Sequence, residues 1–534
     1  MIVAMKNLLI LVLLLSFFES SSQSVTITPG TTGKMQIPSM SYNQIKAIAS
    51  PQAGMTVFDN TLNCLKIYDG ASWKCTTQLE GNNSPILNAQ KMGGNYLNNE
   101  KGMDVFTDAN NNMYLTGTFY QSATLGDTIL TGSQFETFIS KYNANGQRLW
   151  TRGLGVSQSA EGRAIVIDNA GNVYLTGTFI GTFTVNGNTF NSFGENNFFL
   201  IKYNSNGIAQ WARKGGATSY VFDNKAFGNG LAVDASGNVY ASGTFKGTNV
   251  FGSLSLTSAT QNPGYYYDDI FLIKYNASGV EQWARRAGGN SNDTGRKVAV
   301  NGSFVYVTGA YTSPADFGGS TVTGNNQTDG FVAKYDLNGA FQSVFRTQTT
   351  AGYTNIINDI AFDNTGNQYI TGIYGYSANF GNSITLTPNA NENGNFFLAK
   401  FNNAGVAQWA RQSSGGGDEE GKKLSIDNAG NVIVAGNYNT SPTFDGYVVI
   451  PAAGSTKDAF YAKYSSGGEI QWVKKSGGEF EDGANSVAVD GLGNIYATGF
   501  FKGIAFFDEQ FLQSYNYSIN SNSSEDIFLL RIFE

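Results

Sequence analysis

A short glycine-ended string, of the type Tyr-Leu-Thr-Gly, recurs seven times and constrains the fold more than any other feature of this chain. The glycines are 60 to 66 residues apart: Gly117, Gly177, Gly243, Gly309, Gly372, Gly436 and Gly499. Each unit holds four β-type segments and two tight turns rich in Asx and glycine, as at 168–172 and 204–207. Four antiparallel strands repeated seven times predict an all-β, seven-bladed β-propeller over residues 84–534. A β-solenoid is the alternative, although its coils would be shorter and would lack two hairpins per unit.

The last repeat is incomplete, which predicts how the ring closes. It supplies strands near 486–490, 494–500 and 526–533, and then the sequence stops. Residues 87–94 align instead with the fourth element of the second repeat, at 208–216. An unpaired third strand would leave bare backbone donors and acceptors. The segment near 85–92 is therefore predicted to be the outermost strand of blade seven.

The repeat unit also resembles a known family. Its pattern, seen from Asp269 to Tyr275 and at Gly288-Gly289, is similar to the bacterial SBBP (beta-propeller repeat) family. This resemblance covers about four-fifths of the chain and implies a scaffold without one common activity. The fourth repeat departs most, with Asn301 in place of the turn aspartate and Ser343 in place of the tryptophan. Blade four is expected to be irregular.

The first 23 residues have the pattern of a signal peptide. Lys6 precedes an apolar run over 8–18, and small polar residues follow at 19–24. Eleven apolar residues are too few to span a bilayer as a helix. The protein is predicted to be secreted or displayed at the cell surface, with the periplasm as an alternative compartment and a signal anchor as an alternative reading of the segment.

Residues 24–80 are predicted to form a small α+β module with a helix over 40–49. If Asp69 and Gly70 form a two-residue turn, Cys64 lies opposite Cys75, and export would permit a disulfide. A four-residue turn would shift the register and separate the two cysteines. The segment resembles short N-terminal modules of Bacteroidetes surface and fibre proteins, which implies assembly or attachment. A cap on the propeller is the alternative.

Composition excludes several function classes. The sequence has no histidine and only two cysteines, which removes Ser-His-Asp and Cys-His catalysis, His-ligated metals and structural zinc. The net charge of −7 argues against partners such as nucleic acid or anionic membranes. No cofactor and no metal are predicted.

Two repeated charged positions are predicted to be structural. One is the turn aspartate, whose loop lacks the alternating oxygen ligands that calcium needs: Asp108, Asp168, Asp234, Asp363, Asp427 and Asp490. The other is the third-strand cation, with its stem against a tryptophan such as Trp211: Lys141, Lys202, Lys274, Lys334, Lys400, Lys463 and Arg531. Most of these cations are expected to pair with a turn aspartate of the same or the next blade, for example Lys202 with Asp168 or Asp234.

The variable second- to third-strand loops and the inter-blade connectors share one face, where recognition is expected. Carboxylates and aromatics gather there in sequence: Glu161, Asp293, Asp418, Glu419, Glu420, Glu479, Glu481, Asp482, Tyr265, Tyr266 and Tyr267. Tyr265, Tyr266, Tyr267, Glu161 and Asp293 are the candidate ligand-binding residues, and a solvated rim is the alternative. The predicted function is a non-enzymatic exported scaffold that binds a glycan or a protein. A carbohydrate-active enzyme using paired carboxylates and a spacer in a surface assembly are the alternatives.

Overall fold

A computed structural model describes residues 39–40, 48, 50–53, 55–59, 64–68, 73–75, 86–94 and 100–533, with gaps at 221–222, 263–264, 324–327, 349–353, 389–393, 416, 452–456, 509 and 516–523. The described residues form strands and turns and contain no helix. The chain divides into two compact units, residues 1–85 and 86–534. The predicted signal peptide lies outside the described residues.

The N-terminal unit contains one four-stranded sheet in chain order. Its strands are β1 (Ser39–Met40), β2 (Thr56–Asp59), β3 (Cys64–Tyr68) and β4 (Trp73–Cys75). The helix predicted over 40–49 lies almost entirely outside the described residues, and its first residue, Met40, ends β1.

The predicted register of the β3–β4 hairpin is wrong. Tyr68 pairs with Trp73 and Lys66 with Cys75, while Cys64 pairs with Asp59 of β2. Four residues, instead of the predicted two, therefore separate the paired ends of β3 and β4, and the register shifts by two positions. The cysteine side chains lie outside the described part, so the disulfide stays a prediction.

The second unit is a seven-bladed β-propeller, as predicted. Strand β5 (Ile86–Met92) precedes blade one, which consists of β6 (Lys101–Thr107), β7 (Met113–Leu125), β8 (Thr128–Tyr142) and β9 (Arg148–Gly153). Blade two and its loop hairpin comprise β10 (Ser159–Ile167), β11 (Val173–Ile180), β12 (Thr182–Val185), β13 (Asn188–Asn191), β14 (Asn197–Tyr203) and β15 (Ala209–Gly216). Blade three and its loop strands comprise β16 (Lys225–Val233), β17 (Val239–Lys246), β18 (Thr248–Phe251), β19 (Leu254–Thr257), β20 (Thr260–Asn262), β21 (Tyr265–Tyr266), β22 (Asp268–Tyr275) and β23 (Glu281–Gly289).

The remaining blades follow the same order. Blade four comprises β24 (Thr294–Asn301), β25 (Phe304–Thr312), β26 (Ala315–Asp316), β27 (Thr321–Val322), β28 (Thr328–Asp336) and β29 (Phe341–Arg346). Blade five comprises β30 (Ile356–Phe362), β31 (Gln368–Tyr374), β32 (Ala378–Gly381), β33 (Ile384–Leu386), β34 (Asn395–Phe401) and β35 (Ala407–Ser414). Blade six comprises β36 (Glu420–Ile426), β37 (Val432–Tyr438), β38 (Thr443–Phe444), β39 (Tyr447–Val448), β40 (Asp458–Tyr464) and β41 (Ile470–Gly478). Blade seven comprises β42 (Gly483–Val489), β43 (Ile495–Lys502), β44 (Ile504–Phe507), β45 (Gln510–Gln513) and β46 (Glu525–Phe533).

The first strand of every blade is innermost, and these strands surround a central channel. Each contacts the first strand of the next blade, in the closed order β6, β10, β16, β24, β30, β36, β42 and back to β6. Buried apolar side chains pack between successive blades, as where Tyr114 of blade one joins Leu175 and Phe199 of blade two in one cluster. The channel is therefore framed by a rigid core.

Strand β5 closes the ring, as predicted. It pairs antiparallel with β46, with Met92 opposite Ile527 and Ile86 opposite Phe533. Blade seven thus contains strands from both ends of the propeller unit and has no bare outer edge on its third strand.

The variable second- to third-strand loops extend the neighbouring sheet in four blades. The hairpin β18–β19 of blade three pairs with β15 of blade two, and Gly215 lies opposite Phe251. The same arrangement joins β26 to β23, β38 to β35 and β44 to β41. In four blades these loops therefore take part in blade-to-blade strand pairing, a role that the sequence did not predict for them.

Four blade interfaces share a set of hydrogen bonds that we call the inter-blade latch. A third-strand lysine and a fourth-strand tryptophan of one blade donate to the same backbone carbonyl in the last turn of the next blade, as Lys274 and Trp283 do to Leu337 at 3.0 and 3.1 Å. An arginine two residues after the tryptophan donates to the turn glycine. The donor sets are Lys141, Trp150 and Arg152; Lys202, Trp211 and Arg213; Lys274, Trp283 and Arg285; and Lys400, Trp409 and Arg411.

The latch revises the predicted role of the repeated lysines. Two of them make the expected ion pair, Lys202 with Asp168 at 4.0 Å and Lys463 with Asp427 at 3.2 Å. The contact that recurs is instead the backbone carbonyl of the next blade. Blade four has no tryptophan because Ser343 holds that position, and its Lys334 lies 3.7 Å from the centre of the Phe304 ring.

Candidate binding site at the mouth of the central channel

Every innermost strand contains a β-bulge near its start. In blade two the pairing shifts between Gly162 and Ala164, which leaves Arg163 as the extra residue. Blade four has a wider bulge that includes both Arg296 and Lys297. An extra residue in a strand is unpaired and re-aimed relative to its neighbours. The first bulge residues of the seven blades, which we call the mouth ring, are Met103, Arg163, Asn229, Arg296, Asn358, Lys422 and Asn485.

Cations and amides alternate around the mouth ring. Blades two, four and six carry the cations, and blades three, five and seven carry asparagines. Each asparagine amide donates to the carbonyl oxygen of the residue just before the next ring position: Asn229 to Gly295 at 2.8 Å, Asn358 to Gly421 at 2.9 Å and Asn485 to Gly102 at 2.9 Å. The amides therefore fix the backbone that carries Arg296 and Lys422.

Two of the three cations are neutralised by a glutamate two residues earlier. Glu161 accepts a hydrogen bond from Arg163 at 2.9 Å, and Glu420 lies 2.6 Å from the Lys422 ammonium. Burial tends to raise the pKa of Glu420, but Lys422, Asn358 and Arg296 outweigh it and lower that pKa. The corresponding residue before Arg296 is Thr294, which carries no charge.

One residue beyond the mouth ring, four charged side chains form a central charge cluster: Asp104, Lys297, Asp359 and Lys423. Lys423 of blade six reaches Asp104 of blade one at 2.9 Å, over blade seven. Burial opposes ionisation of Asp104, but the charges of Lys423 and Lys297 prevail and lower its pKa. Burial and the adjacent Lys423 lower the pKa of Lys297 to about 8. The cluster is strongly coupled, because each charge depends on its neighbours for compensation.

The structure does not gather the predicted ligand-binding residues into one site. Glu161 lies on the innermost strand of blade two, in the channel mouth. Tyr265 is 59% exposed and meets Tyr267 edge-on, with ring centres 6.1 Å apart, on the loop of blade three that also contains Tyr266. Asp293 is completely buried instead of exposed on the predicted surface. Its carboxylate accepts hydrogen bonds from the Gly289 and Thr312 amides, both at 2.8 Å, which satisfy it inside the protein.

The connector carboxylates fall into three groups. Asp293, Glu419 and Asp482 are buried between blades, Asp418, Glu479 and Glu481 are exposed, and Glu161 and Glu420 belong to the channel mouth. The three buried connector positions are not equivalent. Asp293 and Asp482 each lie near a third-strand aspartate of the preceding blade, Asp269 and Asp458, whereas Glu419 has Asn395 at that position.

Sequence reasoning missed Arg163, Arg296 and Lys422. Their signal is a cation directly after a glycine near the start of a first strand, as in Gly162-Arg163, Gly295-Arg296 and Gly421-Lys422. Recognising that signal requires knowing that the strand bulges at this point, because a regular strand would place the residue on a blade face.

The turn aspartates serve their own turns. Asp168 accepts hydrogen bonds from the amides of Ala170 and Asn172, the Asn172 side chain and the Tyr174 hydroxyl, all at 2.8–3.0 Å. Asp234 makes the same set of bonds. Among the described residues, no three His, Cys, Asp or Glu side chains gather around a point that could hold a metal ion. None of these residues belongs to a helix long and apolar enough to cross a membrane.

Comparison with known proteins gives one family model, which covers the N-terminal part. Residues 20–91 match the phage tail like trimerisation region. An uncharacterised WD repeat-containing protein of Acanthamoeba polyphaga mimivirus is 24% identical over 484 residues, covering 78% of this chain and 31% of that protein. The regulatory protein FlaEY of Caulobacter vibrioides is 26% identical over 363 residues, covering 65% and 33%. The chain thus spans about a third of the length of these curated relatives.

Solved structures are similar only at low identity. A puromycin hydrolase is 12% identical with a TM-score of 0.38, and the likeness covers 76% of this chain and 51% of that chain. An ulvan lyase of a polysaccharide lyase family is 10% identical with a TM-score of 0.31, covering 72% and 94%. Likenesses of this size lend no support to a shared activity.

Proposed function

We propose that this chain is an exported, non-enzymatic β-propeller that recognises a glycan or a protein at the mouth of its central channel. The observation that carries the proposal is the mouth ring, in which three alternate blades carry cations and Arg296, unlike Arg163 and Lys422, makes no ion pair with a carboxylate in the described part of the chain. Rigid strands and asparagine hydrogen bonds hold these side chains in place, which lowers the entropy lost on binding. The SBBP-type repeat is in this view the scaffold.

The N-terminal unit is proposed to assemble and attach the propeller. Its similarity to a phage tail like trimerisation region supports three chains held together, and the resemblance to surface and fibre modules points the same way. Three linked propellers would bind a repetitive surface with far higher avidity than one. The signal-peptide pattern of residues 1–23 places this assembly outside the cell in the proposal.

The enzymatic alternative is less well supported by the mouth itself. A glycosidase of the usual kind needs one carboxyl group that stays protonated as the acid. Glu420 is held ionised by Lys422 at 2.6 Å, and its pKa is lowered. Glu161 is engaged by Arg163 at 2.9 Å. Both carboxylates are better suited to fixing cations than to donating protons.

The proposal is tested with the mature chain from residue 24 on glycan arrays and in pull-downs against surface extracts. A double variant, Arg163→Gln with Arg296→Gln, should lose the ligand found with the unmodified chain. Tyr265→Ser, which removes an exposed ring on the blade-three loop, should retain it. If the double variant still binds the ligand and Tyr265→Ser does not, the binding site lies away from the channel and the proposal is overturned.

A further inference from the structure

The repeats provide an internal comparison for each cation of the mouth ring. Blade two reads Glu161-Gly-Arg163, and blade six reads Glu420-Gly-Lys422, whereas blade four reads Thr294-Gly-Arg296. In the first two, the glutamate lies within 2.9 Å of its cation. Blade four therefore keeps the cation and omits the anion that accompanies it elsewhere.

Unsatisfied donors surround the position of the missing glutamate. Arg296 is exposed to solvent, and no hydrogen bond or ion pair joins its guanidinium to the residues that the structure describes. Arg163 binds Glu161 and Asn229 through its terminal nitrogens, but its buried Nε–H has no partner. Partial desolvation lowers the pKa of Arg296, the negative charge of Glu420 opposes this, and the positive charge of Arg163 lowers it further. Glu420 makes its ion pair with Lys422, so an anion placed beside Arg296 would still offset the charge of Arg163.

The rest of the mouth favours a ligand with few charges and several hydroxyl groups. Glu161 and Glu420 would repel a densely acidic peptide but can accept hydrogen bonds from hydroxyls. The Phe227 ring lies beside this region, with the Arg163 guanidinium 4.9 Å from its centre, and an aromatic ring suits the face of a sugar. A single carboxylate on a hydroxylated ring matches these features together.

We propose that the channel mouth binds a uronic acid residue of an acidic glycan and that Arg296 binds its carboxylate. This inference rests on the proposed function and names its ligand class. The carboxylate takes the place that a glutamate holds beside Arg163 and Lys422. A guanidinium–carboxylate pair is directional and charge-assisted, so it selects uronates over neutral sugars.

The test measures binding of the mature chain to oligogalacturonate and oligoglucuronate tetrasaccharides by calorimetry. The neutral controls are the same oligosaccharides with their carboxyl groups reduced to alcohols. We expect a uronate to bind at least about tenfold more tightly than its reduced form, because a charge-assisted hydrogen bond commonly contributes that much. Arg296→Gln should remove this preference, and Thr294→Glu should remove it as well by supplying the missing carboxylate within the chain. Lys475→Gln, a charge loss on the exposed outer strand of blade six, is the matched control and should change nothing.

Equal affinity for the reduced oligosaccharides, no binding of either uronate at millimolar concentration, or unchanged binding by Arg296→Gln would overturn the inference. Preferential binding of a glutamate-rich peptide would overturn it too. Thermal unfolding of each variant separates loss of binding from loss of fold. A neutral glycan bound at the mouth and lost in the Arg163→Gln, Arg296→Gln variant would overturn only the uronate inference and leave the proposed function standing.

Discussion

Replacing Asp526 by asparagine should make the stability of the propeller less dependent on pH. Asp526 of blade seven and Glu100 of blade one are completely buried where the ring closes. Both carboxyl groups approach Gly93, where a Cβ atom would collide with each of them. Glu100 accepts a hydrogen bond from the Gly94 amide and Asp526 from the Tyr515 amide, both at 2.6 Å. The other oxygen of each group has no partner.

This environment favours the protonated forms. Burial, and then the nearby Asp526, raise the pKa of Glu100 to about 8. Burial raises the pKa of Asp526 to about 7 despite the Tyr515 amide and the Lys91 charge. Lys101 and Glu525, which directly follow Glu100 and precede Asp526 in the sequence, form an ion pair at 3.1 Å. Both folded-state pKa values exceed the unfolded ones, so the stabilising contribution is complete below about pH 4 and is lost as the pH rises through 7 to 8.

The magnitude follows from the size of the shifts. Each pKa unit corresponds to about 1.4 kcal/mol of unfolding free energy. When the pair loses one proton, a shift of roughly three units therefore removes about 4 kcal/mol of stability. An amide at position 526 keeps an oxygen for the Tyr515 amide and turns its NH₂ towards Glu100. Blade five already has the corresponding pair of residue types, with Asn395 in the equivalent position and Glu419 in the place of Glu100.

The assay is thermal unfolding of the chain from residue 24, followed by circular dichroism between pH 5 and pH 9. Asp526→Asn should unfold near the unmodified chain at pH 5 and several degrees above it at pH 9. Asn395→Asp is the reciprocal control, because it creates a carboxyl pair with Glu419 and should steepen the loss of stability at high pH. Parallel pH profiles for the unmodified chain and Asp526→Asn would refute the reasoning.

Three further predictions concern the latch, the charge cluster and the closing strand. Trp283→Phe keeps a ring but removes the indole donor, so chemical denaturation should show that the free energy of unfolding falls by about 1 kcal/mol. Trp283→Ala should lower it by at least about 3 kcal/mol. Equal losses for the two variants would contradict the latch. Lys423→Met removes the ammonium that forms the ion pair with Asp104 and leaves Lys297 as the remaining cation of the cluster, so it should lower the free energy of unfolding by about 3 kcal/mol. Adding Asp104→Asn should recover part of this loss, and no recovery would argue against coupling between the two residues. Deleting residues through Gly94 should lower the unfolding temperature, whereas deleting through Gln78 should not; equal values would mean that β5 does not close the ring.

The architecture was readable from sequence because its determinants are local and repeated. Each unit contains its own hairpin turns, in which Asp168 caps the turn and Gly171 adopts a φ of +77°. The last unit lacks a fourth strand, and residues near 85–92 align with the fourth strand of the other units. The pairing of β5 with β46 confirms that count.

The site was less predictable because it depends on how blades meet. The bulge that makes Arg163 an unpaired residue is a property of strand pairing, and the bond from Asn229 to Gly295 joins residues 66 positions apart. Residue type alone could not separate Asp293, which is buried between blades, from Glu161, which lies in the mouth. The β3–β4 register was wrong for a related reason, since Asp-Gly can occupy a four-residue turn as well as a two-residue one.

The most direct test of recognition at the channel mouth is hydrogen–deuterium exchange of the chain from residue 24, with and without the strongest ligand from the glycan and protein screens. The account predicts that ligand slows exchange in the first halves of β10, β24 and β36, which carry Arg163, Arg296 and Lys422. Protection confined to the loop strands around Tyr265, or to residues 39–75, with unchanged exchange in those three strands, would contradict it.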